Sequence, residues 1–266
     1  MKKKIIISDY GWLETPIERS WIKKLSINYL ILDKKHRLPA SSKVIHQKNV
    51  GQNIYDIFDY IYQNYNNLEE ILIFCRACIM LPKDIPGQKG PNSNGNCSED
   101  KFFSLIENEN LTEIHDYETL YQDGYSSFIG KNNEFNEINT SWYLKKHRSR
   151  YFYSFNHFMH FMFSNYSNLK YVRFSPGGAF VIPKKNILFY SRNFYKNIRR
   201  FLSWDIVVGD AHILERSLYY IFSNKYHERK KYSEYKIFFN QILSFLIYHI
   251  IYKPYDLLKN ILRSPR

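Results

Sequence analysis

KKIIISDYGWLETPIERSWIKKLSINYLILDKKH, residues 3–36, carries the pattern that decides the fold. Ile5, Ile6 and Ile7 make a short apolar run that stops at Ser8 and Asp9, and Tyr29 to Leu32 make a second that stops at Asp33, Lys34 and Lys35. Short unbroken apolar runs with polar ends are the mark of strands covered on both faces, as in a parallel sheet. Between them GWLETPIERSWIKKL, residues 11–25, predicts a helix. Further on, Ile54, Ile57, Phe58 and Ile61 recur at helical spacing between Asn53 and Tyr65. Asn66 and Asn67 then break the pattern, and ILIF, residues 71–74, gives a third strand. The order β-α-β-α-β with short connections predicts an α/β fold: a Rossmann-like, mostly parallel sheet flanked by helices.

Composition bounds the class. In 266 residues, 44% hydrophobic and 18% aromatic content is enough for a sizeable core and excludes a disordered chain. Against 25 Asp and Glu stand 38 Lys and Arg, a formal charge of +13, which calls for an anionic partner. Nucleic acid, acidic lipid headgroups and a nucleotide diphosphate would each satisfy that charge. The N-terminal MKKKIIISDY has only three isoleucines before Ser8, too short for a signal-peptide core, so a cytoplasmic chain is expected.

Three cysteines fit a reducing compartment. Cys75 and Cys78 form a CxxC, but it ends a buried strand, whereas a redox pair would open a helix and a zinc site would need ligands beyond nearby Cys97. PKDIPGQKGPNSNGNCSED, residues 82–100, reads as a long loop after the third strand, either a lid or a surface insertion. YLKKHRSRYFYSFNHFMHFMF, residues 143–163, sets Lys145, Lys146, His147, Arg148 and Arg150 before an aromatic-rich helix. Such a segment could grip single-stranded nucleic acid. Phe155, Phe158, Met159 and Met162 nevertheless have helical spacing and read as core, so nucleic acid is the weaker reading. His157 and His160 form an HxxH without a partnered carboxylate.

GDAHILERSLYYIF, residues 209–222, is a helix with Leu214, Leu218, Ile221 and Phe222 on its apolar stripe. Asp210 at its start is either an N-cap or a reactive acid. Glu215 falls on the border of the stripe, where it either pairs with a basic neighbour or serves as a reactive carboxylate. Upstream, Pro176, Gly177 and Gly178 make a tight turn into the strand AFVIP, and glycines there would also let a ligand approach the backbone.

A Gly-Gly turn and strand, then a helix carrying Tyr195 and Arg199, then an acidic helix start resembles the acceptor half of glycosyltransferases with the GT-A fold. More specifically, residues 44–81 and 172–222 resemble the family called domain of unknown function 3431. The likeness is carried by Asn49-x-Gly51, Tyr60-Ile61, Asn64-Tyr65-x-x-Leu68, the strand ILIF, Gly178-Ala179-Phe180, Glu215-Arg216 and Ile221-Phe222. Departures are Asn53 where that family often has Glu, Arg76 where Gln is common, and Leu218 where Trp is usual. The resemblance implies a GT-A-like sugar transferase acting in surface-polysaccharide synthesis, with a nucleotide-sugar donor and a glycan or lipid-linked acceptor. Metal-dependent GT-A enzymes carry Asp-x-Asp after the strand matching ILIF. Here that strand runs into CRACIMLP, so no divalent metal and no other cofactor is expected, and Arg76 is the candidate partner of the diphosphate. The candidate catalytic residues are Glu215 first and Asp210 second. Arg76, Asn49, Gly177, Gly178 and His212 are the candidate substrate-binding residues. The alternative is a non-catalytic basic protein that binds nucleic acid or an anionic membrane.

Residues 1–234 read as one α/β domain and 235–266 as a basic amphipathic helical tail. IFFNQILSFLIYHIIY, residues 237–252, is too short to span a bilayer and holds Asn240, Gln241 and His249. Lys230, Lys231 and Lys236 precede its centre, and Lys253, Lys259, Arg263 and Arg266 follow. Peripheral attachment to an anionic cytoplasmic membrane face is one expectation, and packing on the domain's own core is the other.

Overall fold

The structure is a computed structural model that describes residues 2–13, 21–80, 97–116, 124–229 and 234–254. In chain order the strands are β1 (Lys3–Asp9), β2 (Asn28–Asp33), β3 (Val44–His46), β4 (Ile71–Arg76), β5 (Thr112–Glu113), β6 (Ser127–Ile129), β7 (Phe135–Ile138), β8 (Tyr171–Arg173) and β9 (Phe180–Pro183). The helices are α1 (Gln52–Asn64), α2 (Glu99–Ile106), α3 (Phe155–Met162), α4 (Lys184–Ile187), α5 (Arg192–Leu202), α6 (Gly209–Phe222) and α7 (Glu234–Ile247).

Six strands form the central sheet in the order β3-β2-β1-β4-β9-β5. The four at the β3 end are parallel, while β9 runs antiparallel to both β4 and β5. Register explains why the apolar runs are unbroken. Leu30, Ile6, Phe74 and Phe180 pair across four strands and all face one core. Their chain neighbours Ile31, Ile7, Cys75 and Val181 face the other, as the two-residue period of a strand requires. The first core is the larger and is covered by α1, α3, α5 and α6. The second is covered by α2 together with Leu13 and Ile22.

Three expectations need adjustment. Of the helix expected over residues 11–25, the described part is a single 3-10 turn at Trp21–Lys24, and 14–20 lie outside the described residues. Most of the expected 82–100 loop also lies outside them, and α2 already begins at Glu99, capped by the Ser98 side chain. The sequence pattern missed the second sheet, β6-β7-β8, which is antiparallel. Its last strand leads through Ser175 and Pro176 into the glycine turn and then β9.

At the end of β2, Lys34 is fully buried. Its ammonium donates to the carbonyls of Lys48, Val50 and Gln52 at 3.0, 3.2 and 3.3 Å and pairs with Asp56 at 2.7 Å. That segment needs an anchor, because Gly51 and Gln52 both have left-handed backbone, φ +56° and +55°. Gly51 also lies so close to α5 that a Cβ there would fall 2.6 Å from the Leu202 carbonyl oxygen. Glycine in the Asn49-x-Gly51 pattern is thus accounted for by packing.

Candidate functional site

Strand order changes direction between β1 and β4: the chain goes outward through β2 and β3, then returns to add β4 on the other side. In such sheets the crevice beyond the carboxyl ends at this point is the natural ligand site. Asp9 at the end of β1, Tyr10 just after it and Arg76 at the end of β4 stand at that edge. Because β9 is antiparallel and Phe180 pairs with Phe74, the turn before β9 is delivered beside Arg76.

The turn is held from both sides. The Asn53 side-chain amide donates to the Gly177 carbonyl at 2.7 Å, and the Gly177 amide donates to Glu215 Oε1 at 2.6 Å. Both glycines are left-handed, φ +86° at Gly177 and +65° at Gly178. Each also lacks room for a side chain: a Cβ on Gly177 would sit 2.5 Å from Arg76 Nη2, and one on Gly178 would sit 2.7 Å from Ile54 Cδ1. Arg76 therefore lies flat against a backbone that only glycine leaves open. Asn53 went unrecognised as part of the site. Its amide is the chemically required group, since a carboxylate would face the Gly177 carbonyl with no proton to donate.

Glu215 is 16% exposed and its second oxygen faces Arg216 Nη1 at 3.3 Å and His212 Nδ1 at 3.8 Å. Burial pushes its pKa up, but the His212 contact, the Arg216 guanidinium and the Gly177 amide outweigh that and hold it down at about 2. A carboxylate so strongly held ionised is a weak proton acceptor at neutral pH. Glu215, the first of the two candidate catalytic residues, is accordingly better placed to position the turn and the His212 ring. Arg216 is itself nearly buried, bonded to Glu137 of β7 at 2.7 Å and stacked over Tyr143 at 4.1 Å. His212 stacks on His147, ring centroids 4.7 Å apart, and its Nε2 is buried without a hydrogen-bond partner.

Asp210 belongs elsewhere. It does not cap α6, whose N-cap residue is Val208. Its fully buried carboxylate instead accepts from the Ser149 hydroxyl at 2.5 Å, the Arg150 and Tyr151 amides at 2.9 and 3.3 Å, and the Trp204 indole at 3.2 Å. Burial lifts its pKa to about 6 despite those four donors. The role is to tie the 149–151 loop to the start of α6. Asn49 is also apart: it lies on the segment gathered by Lys34, with Oδ1 buried and unpartnered, and no described hydrogen bond joins it to the glycine turn.

At the end of β1 Asp9 Oδ1 accepts from the Trp12 and Leu13 amides at 2.8 and 3.2 Å, while its Oδ2, the Tyr10 hydroxyl and Ser175 Oγ are buried without hydrogen-bond partners. Burial raises the pKa of both Asp9 and Tyr10. Of these the Tyr10 hydroxyl is close enough to Arg76 to feel its charge, and an uncommitted polar atom beside an arginine is what a polar ligand's site requires. Among the described residues no group of three or more His, Cys, Asp or Glu side chains is arranged to hold a metal ion. Cys75, Cys78 and Cys97 are buried free thiols.

The basic cluster is partly spent within the chain. Lys146 lies over Trp142, Arg150 over Tyr151, and Phe152, Phe155 and Phe158 are core residues. His157 stacks on Tyr153 and His160 bonds Asn168, so the HxxH pair has separate partners. No family model, no curated protein and no solved structure matches the chain.

Proposed function

We propose that the chain is a glycosyltransferase of GT-A-like architecture, moving a sugar from a nucleotide-sugar donor to a glycan or lipid-linked acceptor. The observation that supports it best is the meeting of Arg76, the Gly177-Gly178 turn and Glu215 at the sheet's change of direction. Arg76 takes the donor diphosphate through its planar set of N–H donors. In the transfer the acceptor hydroxyl gives up its proton, its oxygen bonds to the anomeric carbon, and the bond from that carbon to the diphosphate breaks. Arg76 then stabilises the charge left on the departing diphosphate.

Glu215 acts on this reaction through others. It fixes the turn against which Arg76 lies, and it faces His212 Nδ1 so that Nε2 is left to accept the proton. The diphosphate's charge is assigned to Arg76, not to a divalent ion, because no Asp-x-Asp follows β4.

Calorimetric titration with uridine and guanosine diphosphates, with and without EDTA, tests the assignment. At least one nucleotide should bind equally in both buffers. Arg76→Ala should weaken binding about 10- to 100-fold, the loss expected for a charge-assisted hydrogen bond. Unchanged affinity in Arg76→Ala, or binding that EDTA abolishes, would refute it.

A further inference from the structure

The C-terminal helix turns a set of large apolar side chains to solvent. Phe239 and Ile250 are 65% and 68% exposed, and Ile242, Phe245 and Leu246 are 43%, 47% and 44% exposed. Phe239, Ile242, Phe245 and Leu246 fall within an arc of roughly 120° on α7, and a π-helical turn, Tyr248–Tyr252, carries Ile250 beyond it. An apolar arc of that width normally faces the protein interior. Here the described residues of that arc are exposed.

The described attachment runs through one side chain. The Arg148 guanidinium lies over the rings of Phe245 and Tyr248 at 5.3 and 5.8 Å, while its backbone carbonyl accepts from the Gly209 amide, the first residue of α6, at 2.8 Å. Neighbouring His147 stacks on His212. The helix is therefore fastened, at its Phe245 end, beside the His212 flank of the candidate site.

A 14-residue helix is marginal in water without an apolar partner. It spans only ~21 Å, short of the ~30 Å hydrocarbon core. No helix among the described residues is long and apolar enough to cross a membrane. Charge selects the occupant: Lys230, Lys231 and Lys236 lie at one end in sequence and Lys253, Lys259, Arg263 and Arg266 at the other, with Lys253 exposed. Basic ends around an apolar face complement a surface that is anionic outside and hydrocarbon within.

We infer that the outward face of α7 docks the protein on an anionic lipid bilayer, lying in the plane of the headgroups and presenting the His212 flank of the site to the membrane surface. The docking face stands on α7 and its charges alone, whereas the orientation of the site rests on the proposed function.

Flotation of the full chain with vesicles of phosphatidylcholine, with and without about one-third phosphatidylserine, tests it. The intact protein should float with anionic vesicles and much less with neutral ones. The double variant Phe239→Asp/Ile250→Asp changes two residues that are more than half exposed, and it should lower partitioning at least ~10-fold while leaving nucleotide-diphosphate affinity unchanged. Failure to float with anionic vesicles, or equal flotation of variant and parent, overturns the docking face. A concentration-dependent dimer that the double variant abolishes, with no vesicle binding, overturns the bilayer in favour of a second copy of the chain. Failure of nucleotide binding in both proteins would count against the donor site alone.

Discussion

Glu215→Gln isolates the electrostatic clamp on the glycine turn. Gln keeps the length of the side chain and an oxygen to accept from the Gly177 amide, but it turns an NH2 group toward Arg216 and His212. The carboxylate is held at about 2 in the fold against an ordinary 4.5. At ~1.4 kcal/mol per unit that difference is worth about 3 kcal/mol, in line with losing one or two charge-assisted hydrogen bonds. A group whose folded value is depressed contributes its full stability above the unfolded value and loses it as pH falls. The gap between parent and variant should thus be near ~3 kcal/mol at pH 7, shrink below about pH 4.5, and close toward pH 2. Urea unfolding followed by circular dichroism in matched buffers measures it, and buried acids such as Asp56 and Asp210 cancel in the difference. A gap under ~0.5 kcal/mol at pH 7, or one that does not vary with pH, would refute the clamp.

Gly177→Ala adds a Cβ in left-handed backbone and displaces the Arg76 guanidinium; it should cost ~1–2 kcal/mol in stability and weaken nucleotide binding as Arg76→Ala does. Stability lost with full nucleotide affinity would separate the turn from the ligand. Lys34→Met leaves Asp56 buried without its cation and should cost ~3–5 kcal/mol in urea unfolding, whereas Lys34→Met/Asp56→Leu should recover only the part due to the bare carboxylate, because the Lys48, Val50 and Gln52 carbonyls still lack their donor. Equal stability of the single and double variants would show that the pair is not the source. Asp210→Asn places an amide where four donors converge, so it should cost ~1–3 kcal/mol and change the fluorescence of the adjacent Trp204. An unchanged emission spectrum and stability would mean that the loop is held by other contacts.

The parallel half of the sheet was legible because strands covered on both faces leave unbroken apolar runs, and β1, β2 and β4 are such strands. β3, β5 and the second sheet were not, since segments of two to four residues carry no readable period. α6 was read with its true limits from one apolar stripe. At the site, glycines and a border-line Glu215 were visible in the sequence, but what each touches was not. Asp210 looked like a cap because it opens a helix, and only the fold brings Ser149 to Trp204 around it. Asn53 was hidden because its partner Gly177 comes from a distant part of the chain.

That distance has a consequence for how the molecule assembles. Phe74 pairs with Phe180, about a hundred residues later, and everything between must be laid down before β9 can close onto β4, a connection with a large loop-closure entropy. The β1, β2 and β4 strands join through short-range crossovers and can form early, leaving the β9 side of β4 as an unpaired edge until the rest arrives. During synthesis that edge is a ready template for mispairing with another chain. Expression yield should therefore respond more to changes that delay β9, such as weakening Phe180 or Ile182, than to equal losses of stability on the β3 edge.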